Sequence, residues 1–159
     1  MPISAEDHID NLVRHIRLVQ DACLLLGTRL IRQGHTTFGR QLIARGFQHD
    51  VSKFSGIEWK YLHSGKDVPK HSLKESIEHH QETNDHHPEF WGGISEMSDI
   101  CVAEMVCDCF ARSQEFGTGL RDWFDKIAVK KYKIPKDDIV RINKYINLLL
   151  EDPFVKMES

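Results

Sequence analysis

His49 and Asp50 stand side by side in the run HDVSKF, with Lys53 three residues on. The same chain holds His15, the pairs His79-His80 and His86-His87, and Asp108 within ICVAEMVCDCF; in all, 10 of its 159 residues are histidine. Imidazole nitrogen and carboxylate oxygen are the ligands of borderline divalent ions, so this inventory points to metal chemistry. The two oxygens of Asp50 allow it to bridge two ions, or to bind one while orienting water. His49 can join it only where the backbone bends enough to converge adjacent side chains. Gly46 and the switch from a helix into HDVSKF are expected to supply that bend.

His15 and Asp108 would complete a His/His/Asp/Asp site together with His49 and Asp50. Ligands so distant in sequence suit the interior of a helical bundle. His80, His86 and His87 are candidates for a second ion. A two-ion site activates water as hydroxide and neutralises charge on a phosphoryl group. Glu104, Glu58 and Asn84 are candidates to orient the imidazoles and water from behind. Lys53 falls about one helical turn after Asp50, which would let its ammonium reach a phosphate oxygen. Arg14, beside His15, is a weaker candidate for the same work. His8, His35, His63 and His71 read as surface or supporting groups, and Trp91 in PEFWGG as a packing residue.

The elements that must position these groups are helical. Ser4 with Asp7 resembles a capping box, and Ile9, Leu12, Val13, Ile16, Val19, Cys23 and Leu26 mark the apolar face of a helix running to about Leu30. Gly34 would help to end it. A second helix is predicted from Phe38 to Arg45, with Gly46 as its stop. Ser55 with Glu58, and Ser72 with Glu75, carry the same capping pattern as Ser4 with Asp7. HSGKDVPKH reads as an exposed connection between them. Pro88 disfavours helix at His87, so TNDHHPEFWGG should fray. A helix from Ser98 or Asp99 to about Gln114 puts Glu104 and Asp108 on one face. Arg121 to Tyr132 forms another, and Pro135 with an Asp137/Asp138 cap starts the last. No strand-like alternation is present, so the class is all-α, with residues 1–159 expected to form a single domain.

A net charge of −3, with 40% hydrophobic and 28% charged residues, fits a globular chain without a general pull toward nucleic acid or anionic lipid. The start MPISAEDHIDN has no apolar signal segment. Cys23, Cys101, Cys107 and Cys109 lack metal-binding spacing and are expected to be reduced and core-filling, which agrees with a cytoplasmic location.

HDVSKF resembles the signature of the HD-domain metal-dependent phosphohydrolase superfamily. Together, HDVSKFSGIEW, HHQETNDHHPEFW and EMVCDCF are similar to DUF5662, an HD-like family of bacteria and phages. The likeness spans about His15 to Trp123. It implies an HD-domain-like helical bundle with metal ligands at His15, His49, Asp50 and Asp108. It also implies further ligands among His80, His86 and His87, with His79 a less favoured alternative to His80, and His35 a less favoured alternative to His15. The implied cofactor is one or two divalent ions, with manganese, iron, magnesium, cobalt and zinc not distinguished. The implied reaction is hydrolysis of a small phosphoester, often a nucleotide, by a metal-activated hydroxide attacking phosphorus, with Asp50 and Lys53 as the catalytic side chains. A di-iron oxygenase and a non-catalytic metal-binding protein are the competing readings. Substrate identity and oligomeric state stay open.

Overall fold

The computed structural model describes residues 4–65 and 67–151. Residues 1–3, 66 and 152–159 lie outside it, and with them part of MPISAEDHIDN, the lysine of HSGKDVPKH and both ends of the expected 1–159 unit. All regular structure among the described residues is helical, giving an all-α bundle without a sheet. The elements are α1 (Ala5–Arg32), α2 (Thr36–Gln48), a 3-10 turn (Val51–Phe54), α3 (Gly56–Tyr61), α4 (Lys70–Thr83) and α5 (Pro88–Trp91). A second 3-10 turn (Ile94–Glu96), α6 (Asp99–Phe116), α7 (Leu120–Trp123), a π-helical turn (Phe124–Ala128), α8 (Val129–Lys131) and α9 (Lys136–Leu149) follow.

Helix α1 begins where its capping box forms: the Ser4 hydroxyl accepts from the Asp7 amide at 3.1 Å, and the Asp7 carboxylate accepts from the Ser4 amide at 3.1 Å. Its buried stripe of Val19, Cys23, Leu26 and Leu30 meets Val102, Val106 and Cys107 of α6 and Ile142, Tyr145 and Ile146 of α9 in one core. The other expected caps do not form. Ser55 makes no capping bond, and Glu58 is drawn into the interior instead. Helix α4 starts at Lys70, two residues ahead of Ser72, behind Pro69. Helix α9 is entered from Pro135, and Asp138 pairs with Ser95 and Arg141 rather than capping. At Glu58 and Asp138 a tertiary partner outbids the local one.

The expected stop at Gly46 is also corrected. Helix α2 begins before Phe38 and continues through Gly46 to Gln48. A Cβ at Gly46 would lie 2.6 Å from the Cys23 Cβ, and one at Gly27 would lie 2.6 Å from the Ile43 Cγ1. Those pairings run in opposite directions along the chain, so α1 and α2 form an antiparallel hairpin held closer than side chains permit. Glycine there is a packing device that draws the end of α2 against α1. No helix among the described residues is long and apolar enough to cross a membrane. Gly46→Ala should cost about 1–3 kcal/mol from overpacking, read as a lower urea midpoint at unchanged slope. An unchanged midpoint would contradict this close approach.

Candidate metal centre

Asp50 makes the bend that Gly46 does not. Its backbone is left-handed (φ 56°, ψ 21°), a conformation aspartate tolerates better than most side chains. The chain leaves α2 at His49, turns at Asp50 and enters the 3-10 turn that carries Lys53. This reversal brings the adjacent side chains together, with His49 Nε2 3.4 Å from Asp50 Oδ2.

Asp50 is 2% exposed, and its two oxygens face different histidines. On the Oδ2 side lie His49 and His15, the latter at 3.9 Å and also 3.0 Å from Asp108 Oδ1. On the Oδ1 side lie His86 at 3.2 Å and His80 at 3.3 Å. His87 Nε2 stands 3.1 Å from His80 Nε2. The Lys53 ammonium is 2.8 Å from Asp50 Oδ2, with its side chain nearly buried. His79 points elsewhere: its half-exposed ring contacts Glu58 and not Asp50. His35 precedes α2 without a side-chain capping bond and is exposed, His71 pairs with Glu75 on the surface, and Trp91 packs on the core while donating to the Asp85 carbonyl. The four cysteines are free; Cys23, Cys101 and Cys107 are buried and Cys109 half-buried.

A carboxylate stands behind four of the inward-facing imidazoles, those of His15, His49, His80 and His86. Glu115 accepts from His15 Nδ1 at 3.1 Å, Glu104 from His49 Nδ1 at 2.8 Å, and Glu58 from His80 Nδ1 at 2.8 Å. Glu104 Oε1 also lies 3.4 Å from His86 Nδ1. Such bonds fix the tautomer that turns Nε2 toward the centre. Arg45 grips Glu104 and Asp85 together, anchoring that carboxylate from α2. Asn84 donates to Ser52 Oγ at 2.9 Å, and Ser52 donates to Glu58 at 2.9 Å, tying α4 to the 3-10 turn. Glu115, Arg45 and Asp85 escaped the sequence reading. The signal was present for two of them: Glu115 lies two turns after Asp108, and Arg45 one turn before His49.

The cluster fits an ion by its own chemistry. Among the described residues, His15 Nε2, His49 Nε2, His86 Nε2, Asp50 Oδ1 and Asp108 Oδ1 are buried without a hydrogen-bond partner, and their residues fall into groups whose ligand atoms lie within 4.8 Å of one another. Each such atom would cost about 1–3 kcal/mol if nothing met it. Two ligands of one ion at ordinary bond lengths lie roughly 3 to 4.4 Å apart. The observed 3.0–3.9 Å separations fall in that range. Three groups could each hold an ion: His15, His49 and Asp50; Asp50, His80, His86 and His87; and His49, His86 and Asp108. The first two share Asp50. A further group of Asp85, His86 and Glu104 is spanned by the Arg45 guanidinium, which makes it an ion-pair network.

Electrostatics suits the ligands. Burial pushes the Asp50 carboxyl up, but contacts from His80 and His86 and the charges of His49 and Lys53 hold it well below the usual range. Burial is likewise outweighed at Asp108, kept low by His15 and His49. His87 is pushed down to about 3 by burial and by His86 and His80, leaving its imidazole neutral. Burial opposes protonation of His49, yet Glu104, Asp50 and Asp108 raise it to about 9.

In the metal-free protein, His49 therefore contributes stability that is fully present below its ordinary 6.5 and is lost as pH rises through about 9. A proton and a metal compete for its Nε2. Apparent metal affinity should rise with pH across that window, with proton release on uptake, measured by titration calorimetry in buffers of differing ionisation enthalpy. Glu104→Gln should weaken metal binding about 10- to 100-fold in chelator competition, since it removes the charge behind His49.

No curated protein and no solved structure matches the chain. The model of DUF5662, a family of unknown function, matches residues 4–151, and the chain belongs to that family.

Proposed function

We propose that the protein is an HD-type metal-dependent phosphohydrolase acting on a small phosphoester. The observation that carries the reading is the division of labour at Asp50: one oxygen faces each histidine group, and a lysine ammonium stands on the same carboxylate. The order His15, His49-Asp50, Asp108 along the helices is the HD pattern, and it supports the superfamily assignment.

A divalent ion bound there supplies Lewis acidity and lowers the pKa of coordinated water. The chain's own groups do the rest. Asp50 and Asp108, held ionised, provide the negative charge that retains the ions. Glu104, Glu58 and Glu115 keep the imidazoles aligned. Lys53 lines the cleft in front of the cluster, and in this reading its ammonium donates to a phosphate oxygen. Arg112, at the same cleft and paired with Glu115 at 2.9 Å, offers a second cation. Arg14 is exposed and lines a neighbouring pocket with His15 and Arg112. Asp108 retains 17% side-chain exposure and lines the cleft, which favours a working centre over a closed structural site.

The high imidazole content also suits two irons, and it keeps an oxygenase as the second reading. Manganese-loaded protein should release phosphate from phosphomonoesters without oxygen. Asp50→Ala should lose essentially all turnover with its helical circular dichroism intact, and Lys53→Met should lose about 10²–10³-fold in kcat/KM. Phosphate release unaffected by Asp50→Ala, or oxygen consumption in its place, would sink the proposal.

A further inference from the structure

The cleft that opens on the metal cluster has a volume of about 390 Å³ and two kinds of wall. Asp50, Lys53, His80, His86, His87 and Asp108 form the polar part. The apolar part is built by Val106 of α6, Leu120 of α7, Phe124 and Ala128 of the π-helical turn, and Ile142 and Ile146 of α9. These six are at most 3% exposed and belong to the packed core, so they form the floor of the cleft, while Met105, Cys109, Phe116 and Trp123 carry the apolar surface open to a ligand. The π-helical turn adds a residue per turn relative to an α-helix, a device that recurs at functional sites. Here it places Phe124 and Ala128 on the cavity wall. Ser113, in the same lining, already donates its hydroxyl to the Phe110 carbonyl at 2.7 Å. Glu89, Arg112, Thr118 and Tyr132 are exposed and belong to the rim, as does the half-buried Gln81, so none of them lies on the apolar floor.

We propose that this wall receives the organic part of the substrate, and that this part is alkyl or aryl rather than a sugar. The inference rests on the phosphohydrolase reading and narrows its substrate to phosphomonoesters of apolar alcohols. A ribose on this wall would bury hydroxyls against side chains that cannot answer them. A hydrocarbon there gains about fourfold in affinity for each methylene taken out of water. The reaction consumes one water. Its oxygen bonds to phosphorus, the P–O bond to the organic group breaks, and a proton from the water ends on the departing alcohol beside inorganic phosphate.

The test is calorimetric titration of methyl-, butyl- and octylphosphonate into manganese-loaded protein, since the C–P bond resists hydrolysis. Affinity should rise about two- to fourfold per methylene until the wall is covered. Ala128→Trp should abolish that rise, bringing octylphosphonate down to the affinity of methylphosphonate. Ala128→Leu, a smaller plug, serves if the tryptophan variant does not fold. A flat series, no binding at all, or an octylphosphonate affinity untouched in a folded variant overturns the inference. A steep series with no hydrolysis of any phosphomonoester keeps the apolar site and removes the phosphohydrolase reading. Hydrolysis with a flat series does the reverse.

Discussion

A charged carboxylate in the interior of a helical bundle is the constraint on which this structure turns. Asp50 sits at 2% exposure, where an isolated charge would cost several kcal/mol. Its position is sustained only by what surrounds it: two histidine groups, one on each oxygen, and Lys53 at 2.8 Å. Those groups come from α1, α4, the segment before α5 and the 3-10 turn, so the charge recruits most of the chain. The left-handed backbone at Asp50 belongs to the same constraint, because an ordinary helical continuation would carry His49 and Asp50 to different faces.

The demand propagates outward. An imidazole that presents Nε2 inward has an Nδ1–H to satisfy, and carboxylates meet that need at His15, His49 and His80. Those carboxylates are themselves buried or half-buried and need partners. Arg45 answers Glu104, Ser52 answers Glu58, and Arg112 answers Glu115. Exposure thus rises in steps from the centre to the surface, from Glu104 to Arg45 and from Glu115 to Arg112, while α1, α6 and α9 pack their apolar faces into one core. The cleft lies where those two regimes meet, which is why one wall is ionic and the other hydrocarbon.

Local signals were legible where no distant partner competed. The Ser4–Asp7 cap formed because both groups are at the surface with nothing better to bind. Ser55–Glu58 shows the same pattern in sequence, yet Glu58 was taken by His79, His80 and Ser52, which pay more in a buried setting. Asp138 was lost to Ser95 and Arg141 in the same way. Gly46 was misread as a stop because a glycine needed for helix contact and one needed for termination look alike in one dimension. Arg45 and Glu115 were missed for a related reason: their helical spacing was visible, but not the partner each would meet, Glu104 for Arg45 and His15 for Glu115.

The sequence by itself determined that the chain is helical and that its histidines and aspartates are of the kind that hold metal. Periodicity and residue chemistry are local, and both can be read one turn at a time. Which imidazole faces Asp50, His79 or His80, was decided only by the tertiary structure, as was the sharing of Asp50 between two groups. The apolar wall beside them was decided there as well. Those features depend on distances between residues far apart in sequence, such as His15 and Asp108 at 3.0 Å, and only packing brings them into contact.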